Sequence, residues 1–256
     1  MPENAIGSES KHGHGSDDSP LVLLVHGAWH GAWCWAALQA ELDQRGIASI
    51  AVDLPGHGAS TLPLGDMYGD AQHVVDVATK LERRVVLVGH SYGGAVITEA
   101  AHRLIELGGP AVHHLVYLTA FCLDEGESVM QLAQHPSGGP VELGGAMVPQ
   151  ADGTSILDRT KAGPALYNRC TVAEIESALD RLCPQPFATL TQPANGAPWK
   201  SVPSTYVVCT DDRSIHPGHQ TYMSARCSTV VTLDTDHSPF LSMTTETAGI
   251  IAGVLQ

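Results

Sequence analysis

The most informative part of the chain is Val85-Val86-Leu87-Val88-Gly89-His90-Ser91-Tyr92-Gly93-Gly94. Four apolar, mostly β-branched residues predict a buried strand, and the helix-compatible run 95–101 follows directly after the glycines. Glycines at 89 and 93 lack the Cβ atoms that would collide with neighbouring backbone in a sharp turn. We therefore expect Ser91 on a strained strand–turn–helix connection with its hydroxyl exposed, as a nucleophilic serine requires.

Strands and helices alternate on both sides of this stretch. Apolar runs predict strands, beside the one at 85–89, at 21–25, 47–52, 114–118, 205–209 and 229–233. Helical spacing and terminal signals predict helices at about 35–45, 70–82, 92–107, 216–226 and 239–254. Short connections between alternating elements predict an α/β fold with a doubly wound, mostly parallel sheet.

The alternation is interrupted once, between residues 121 and 200. This segment is rich in Gly and Pro and shows one helical stretch, at about 172–182. A segment of this length is too long to be a structureless loop in a compact domain, so we expect a cap inserted over the active site. The predicted organisation is a disordered tail (1–20), a first core part (21–120), the cap (121–200) and a second core part (201–256).

Composition narrows the function classes. The formal net charge is −14, which repels phosphate backbones and anionic lipid, so we expect neither nucleic acid nor membrane partners. No apolar run reaches about 18 residues, and no basic segment followed by an apolar one marks a secretory signal. A cytoplasmic location is the resulting expectation. Six scattered cysteines without a Cys-x-x-Cys pair are expected to be free thiols, although their even number leaves disulfides open.

A nucleophilic serine needs a base, and the base needs an acid that orients it. In folds of this type the chain order is serine, acid, histidine, each after a strand. His237 follows the last predicted strand and is the predicted base. Asp211 and Asp212 follow the strand that ends at Cys209, and either could be the acid on this reasoning. Asp124 and Glu125 follow the preceding strand and are the fallback, because some hydrolases of this fold place the acid there.

Two backbone amides and several side chains complete the predicted site. The N–H of Tyr92, directly after the nucleophile, and the N–H of Ala28, in the loop after the first strand, are the expected oxyanion donors. Trp29 and His30 lie in an aromatic-rich stretch beside that loop and are predicted to form a wall of the substrate pocket. Tyr167 is the candidate that the cap contributes to the same pocket.

Four segments together resemble the plant methyl esterase and hydroxynitrile lyase branch of the α/β-hydrolase superfamily, and its bacterial esterase relatives. They are 26–33 (His-Gly-Ala-Trp-His-Gly-Ala-Trp), 89–94, 209–215 and 236–237. The resemblance implies an α/β-hydrolase fold, no metal or organic cofactor, and Asp212 as the acid, because the family acid lies two residues after the Thr of a Cys-Thr-x-Asp motif. It implies a Ser91, His237 and Asp212 triad acting through an acyl-enzyme.

The lyase members differ from this chain at two positions. They carry Thr where this chain has Gly27, and Lys, whose charge stabilises cyanide, where it has Ser238. The resemblance therefore implies hydrolysis of a small-molecule carboxylic ester. Two alternatives stay open: a ligand-binding protein without turnover on the same fold, and hydrolysis of an amide, lactone or C–C bond, since a triad serves all of these.

Overall fold

The structure, a computed structural model, describes residues 19–255. The tail predicted for residues 1–20 therefore lies outside the described residues, except for Ser19 and Pro20. The strands of the described part are β1 (Leu21–Val25), β2 (Ser49–Val52), β3 (Val85–Ser91), β4 (Val112–Ala120), β5 (Met147–Pro149), β6 (Thr154–Leu157), β7 (Gln185–Pro186), β8 (Ser204–Cys209) and β9 (Thr229–Leu233).

The helices follow the strands in the predicted alternation. They are α1 (Ala36–Gln44), α2 (Met67–Leu81), α3 (Tyr92–Glu106), α4 (Val129–Ala133), α5 (Glu142–Ala146), α6 (Arg159–Leu166), α7 (Val172–Leu179), α8 (Ala188–Thr191), α9 (Pro217–Ser224), α10 (Pro239–Ser242) and α11 (Thr244–Gly253). The helix predicted for 239–254 is interrupted at Met243, whose backbone is extended at φ −141°. Tertiary packing overrides the continuous helical pattern there.

The main sheet has six parallel strands in the order β2-β1-β3-β4-β8-β9, which confirms the predicted fold class. The chain starts at β1, adds β2 on one side and then crosses to β3 on the other. The strand order reverses between β1 and β3, so the loops after these two strands diverge at their carboxyl ends. Ligands of open α/β sheets bind at such a reversal.

Both faces of the sheet are covered by helices. Leu23 and Val25 belong to one apolar cluster, together with residues of α2 and α3. Val22 and Leu24 belong to a second cluster, together with residues of α1 and α11. Because successive strand residues point to opposite faces, a run that is apolar throughout predicts two covered faces. All five residues of β1 are buried, as that reasoning requires.

The segment between β4 and β8 is more regular than its sequence indicates. It holds a second, antiparallel sheet in the order β5-β6-β7, and four short helices (α4, α5, α6, α8) beside the predicted helical stretch at α7. Elements of two to eight residues are too short to show a hydrophobic period, and their positions depend on contacts with the main domain. We call residues 121–203 the cap segment.

Three general features concern the described residues as a group. All six cysteines are free thiols. Between residues 19 and 255 no helix combines the length and apolarity needed to cross a bilayer. In the same range no three His, Cys, Asp or Glu side chains converge in a way that could hold a metal ion.

Candidate active site

Ser91 lies at the sharp turn between β3 and α3, with φ 53° and ψ −120°. This backbone conformation is unfavourable for a residue with a Cβ atom. Positions 89 and 93 must be glycine, because the neighbouring backbone is too close to leave room for a Cβ atom. A Cβ at Gly89 would lie 2.4 Å from the carbonyl oxygen of Gly93, and a Cβ at Gly93 would lie 2.4 Å from that of Val25. The predicted strand–turn–helix connection is therefore present, with Ser91 at its apex and 8% exposed.

His237 and Asp212 form a buried hydrogen bond next to this turn. His237 Nδ1 lies 2.8 Å from Asp212 Oδ2, and both side chains are at most 1% exposed. A carboxylate only accepts, so Nδ1 carries the proton and Nε2 keeps a lone pair. This is the tautomer that a general base needs.

The carboxylate of Asp212 is held by several donors besides His237. The backbone N–H groups of Ser214 and Ile215 donate to Oδ1 at 2.7 and 2.8 Å. The Gln220 amide donates to Oδ2 at 3.0 Å, and the Thr119 hydroxyl donates to the same oxygen. These bonds fix the carboxylate in one orientation. Sequence reasoning missed Thr119 and Gln220, and no local pattern marks either as a partner of Asp212.

The other acids that the sequence left open lie elsewhere. Asp211 accepts a 2.6 Å bond from Arg169 and is about one third exposed. Asp124 pairs with Lys200 at 2.6 Å, and Glu125 is exposed. Only Asp212 among these four carboxylates contacts the imidazole of His237.

The hydroxyl of Ser91 makes no hydrogen bond to a protein group within the described range. The loop that carries His237 nevertheless contacts β3, because His90 Nε2 lies 2.7 Å from the His237 carbonyl oxygen. The two imidazole rings are 4.6 Å apart between centroids. Catalytic hydrogen bonds are often long in unliganded enzymes and shorten when substrate binds.

Four further histidines surround the site: His26, His30, His57 and His90. Burial lowers the pKa of each, to about 4 for His30. They are therefore neutral near pH 7.

The two residues whose amides are predicted to bind the oxyanion line the same cavity as Ser91. The Ala28 N–H has no acceptor in residues 19–255. Tyr92 is the first residue of α3, where a backbone N–H has no partner within the helix. Ala28, Ser91 and Tyr92 all line a cavity of about 420 Å³. Both residues expected to supply oxyanion donors therefore lie at the cavity that Ser91 lines.

The cavity lies between the serine and the cap segment. Among residues 19–255, no carboxylate or cationic side chain lines it. Trp29 lines it, as predicted. The main apolar contributors from the sheet edge and the cap segment are Phe121, Met130, Leu143, Met147, Leu190 and Ile215.

His30 and Tyr167 do not line this cavity, which corrects the prediction for both. They are buried and contact each other instead. The Tyr167 hydroxyl donates to His30 Nε2 at 2.7 Å, and His30 Nδ1 donates to the Ala28 carbonyl at 2.7 Å. The direction of each bond follows from the carbonyl, which only accepts. We call residues 26–31, the loop after β1 that carries the Ala28 amide, the oxyanion loop. The two bonds stabilise this loop on the side away from the cavity.

Gly27 and Ser238, the two positions at which the sequence differs from hydroxynitrile lyases, have structural roles here. A Cβ at Gly27 would lie 2.9 Å from His90 Nδ1 and 3.0 Å from the Ser91 Cβ, so the loop has no room for a threonine. The Ser238 hydroxyl is fully buried and donates to the Leu166 carbonyl at 2.9 Å. Gly27 therefore lacks the hydroxyl, and Ser238 the cationic group, that the lyases carry at these positions.

One buried acid near the site was not predicted. Asp70 of α2 is 1% exposed and accepts a 2.7 Å hydrogen bond from the Tyr92 hydroxyl. Its other oxygen has no partner among the described residues. Burial raises its pKa from 3.8 to about 7. A signal was present in the sequence, since Asp70 lies at helical spacing from the apolar Met67 and Val74.

Comparison with known proteins gives matches over most of the chain. A model described as the alpha/beta hydrolase family matches residues 22–250. The carbendazim hydrolyzing esterase of Nocardioides sp. (strain SG-4G) is 35% identical over 181 residues, covering 67% of this chain and 71% of that protein. Methylesterase 17 of Arabidopsis thaliana is 28% identical over 247 residues, covering 87% of each. A solved pyrethroid hydrolase from Sphingobium faniae JZ-2 has a TM-score of 0.79 and 25% identity, covering 91% of this chain and 96% of that one.

Proposed function

Since this chain belongs to the alpha/beta hydrolase family and is a carboxylic-ester hydrolase, we propose that it cleaves small esters through an acyl-enzyme on Ser91. The resemblance to plant methyl esterases and bacterial esterases, inferred from four sequence motifs, is confirmed by these matches. The observation that carries the finer proposal is the 2.8 Å bond between Asp212 and His237 beside the strained serine turn.

The proposed reaction has two halves. Ser91 Oγ attacks the ester carbonyl while His237 Nε2 takes its proton, and Asp212 stabilises the imidazolium that forms. The carbonyl oxygen becomes an oxyanion that accepts from the Ala28 and Tyr92 N–H groups. The C–O bond to the alcohol then breaks, and His237 returns the proton to the leaving oxygen. Water repeats the sequence on the acyl-enzyme, which releases the acid and restores the serine.

The two amides carry a large share of the expected rate. Losing one oxyanion donor costs about 3–4 kcal/mol of transition-state stabilisation in related chemistry. The Tyr92 amide also lies at the N-terminus of α3, where the helix dipole favours negative charge. Both donors are backbone groups, so their positions depend on loop geometry and not on the side chains at 28 and 92.

The cavity favours an uncharged substrate with an apolar acyl or alcohol part. Its walls are mostly apolar, and the described part of the chain places no charged side chain there to pair with a carboxylate or an ammonium group. Burying an unpaired charge there would be costly. The net charge of −14 further disfavours anionic esters.

The test is the Ser91→Ala variant assayed with p-nitrophenyl butyrate. We expect no detectable turnover above background with the far-UV circular dichroism and melting temperature retained, because the nucleophile is removed without a change in packing. Ser60→Ala, in a loop away from the cavity, is the matched control and keeps full activity. Retained activity in Ser91→Ala refutes the assignment of the nucleophile.

The binding-protein alternative makes a different prediction for the wild-type chain. A protein that recognises esters without turnover releases at most one equivalent of p-nitrophenol per chain. The proposed hydrolase releases many equivalents and is inactivated by one equivalent of a fluorophosphonate bound to Ser91. A count of product per chain over time separates the two.

A further inference from the structure

The oxyanion loop contains a strained residue directly after Ala28. Trp29 has φ 62°, in the left-handed region that residues other than glycine rarely adopt. Such a conformation persists only where surrounding contacts determine it. The contacts of Trp29 therefore decide the path of the loop and, with it, the direction of the Ala28 N–H.

All three polar groups of Trp29 bond to the cap segment. The backbone N–H donates to Gln185 Oε1 at 3.1 Å, and the carbonyl accepts from the Cys183 N–H at 2.9 Å. The indole N–H donates to the carbonyl and the hydroxyl of Ser155 at 3.1 and 3.2 Å. The backbone conformation at Trp29 therefore depends on hydrogen bonds with the cap segment.

Gln185 has the most direct connection to the oxyanion donor. The Trp29 N–H belongs to the same peptide unit as the Ala28 carbonyl, and that carbonyl accepts from His30 Nδ1 at 2.7 Å. Gln185 and His30 therefore hold one peptide plane from its two sides. This plane is attached to the Cα of Ala28 and limits the directions in which the Ala28 N–H can point.

The Gln185 side chain is itself fixed. It is fully buried, its Nε2 donates to Thr189 Oγ1 at 2.8 Å, and its Oε1 also lies 2.9 Å from His57 Nε2. The bond to Thr189 determines which end of the amide faces Trp29, because the oxygen must accept from the Trp29 N–H. Gln185 does not line the cavity and so has no contact with a bound substrate.

We propose that Gln185 of the cap is a positioning residue that aims the Ala28 amide at the reacting carbonyl. The inference rests on the proposed ester hydrolysis at Ser91 and deepens it. The cap thereby acts on the chemical step itself, in addition to shaping the cavity. A group that helps only in the transition state changes kcat more than KM.

The experiment compares Gln185→Met, Gln185→Glu and Gln192→Met. Methionine keeps the size of the side chain and removes the acceptor, whereas glutamate keeps an acceptor for the Trp29 N–H. Gln192 is the matched control, because it accepts from the Met67 N–H at 2.8 Å and also joins the cap segment to the main domain, away from the cavity. Each variant is assayed with p-nitrophenyl butyrate and with a trifluoromethyl ketone, whose tetrahedral adduct on Ser91 places an oxyanion between the two amides.

In Gln185→Met we expect kcat to fall about ten- to a hundredfold with KM changed by less than about twofold. The affinity for the trifluoromethyl ketone should fall by the same factor as kcat. Gln185→Glu should recover most of both, and Gln192→Met should change neither. The inference is overturned if Gln185→Met matches Gln192→Met, or if kcat falls while affinity for the ketone is unchanged.

Thr189→Val provides a milder variant if Gln185→Met does not fold. It removes the acceptor that orients the Gln185 amide, and a smaller parallel loss of kcat and ketone affinity is expected. A wild-type-like Thr189→Val then overturns the inference. A wild-type chain without ester turnover refutes the proposed function, which is a different outcome from wild-type turnover that Gln185 does not influence.

Discussion

The buried Asp70 predicts an unusual dependence of stability on pH. Burial raises the pKa of its carboxyl from 3.8 to about 7, although the hydrogen bond from Tyr92 lowers it and the nearby Asp66 raises it further. The folded state therefore binds this proton more tightly than the unfolded chain does. The stabilisation is complete below about pH 3.8 and is lost as the pH rises through about 7.

The magnitude follows from the two pKa values. Each unit is worth about 1.4 kcal/mol, so ionisation of Asp70 costs the folded state about 4 kcal/mol in total. About 2.5 kcal/mol of this loss falls between about pH 5 and about pH 8. The Asp70→Asn variant cannot ionise and still offers an oxygen to the Tyr92 hydroxyl. Its free energy of unfolding relative to wild type should therefore rise by about 2.5 kcal/mol between about pH 5 and about pH 8.

The assay is urea unfolding of both proteins at the two pH values, followed by circular dichroism. Asp66→Asn is the control from the same helix terminus. Asp66 is half-buried, caps α2 by accepting from the Gly69 N–H, and has a pKa lowered chiefly by its hydrogen bonds with Gln192 and Gly69. Its own contribution is present above about pH 3.8 and is lost only in stronger acid, so Asp66→Asn should change relative to wild type far less over this range than Asp70→Asn. A change for Asp70→Asn no larger than that for Asp66→Asn would mean that the folded protein ionises Asp70 normally, and would contradict the prediction.

Two further predictions concern the site. Asp212→Asn should lower kcat by about 10⁴-fold, because the amide no longer holds His237 in the required tautomer. Asp211→Asn, which weakens partly exposed contacts with Arg169, Arg213 and Asn168, should stay within about twofold. Equal losses in the two variants would contradict the assignment. Gly144→Leu should lower kcat/KM for p-nitrophenyl octanoate more than for the acetate, because Gly144 lines the cavity and a Cβ there meets no atom within 4 Å. Gly253→Leu, an equally open position remote from the cavity, should leave this ratio unchanged, and a uniform loss for both esters would argue against a pocket wall at residue 144.

Much of the main sheet was predictable because its signals are local. The five-residue run of β1 and the Val85–Gly89 run are apolar throughout, which indicates strands covered on both faces. The cap segment was not predictable in detail, since β7 has only two residues and β5 only three. Elements of that length are stable only through their contacts with the rest of the fold.

The candidate site also contains some residues that could be predicted from local sequence and others that could not. Ser91 and His237 could be located from strand–turn–helix context and chain order. The choice of Asp212 over Asp211 depended on resemblance to a family, because neighbouring aspartates in a loop look alike until the loop has a conformation. Tyr167 was placed in the pocket from sequence but bonds to His30 behind the oxyanion loop.

The sequence by itself determined the features that depend on neighbours along the chain. These are the turn at Ser91, the strands covered on both faces and the order of the catalytic candidates. Only the tertiary structure decided which side chains meet. The bond between His237 and Asp212 spans 25 positions, and that between Trp29 and Gln185 spans 156. Local patterns arise from backbone periods of two or 3.6 residues, whereas partners so far apart are set by how strands, helices and cap pack against one another.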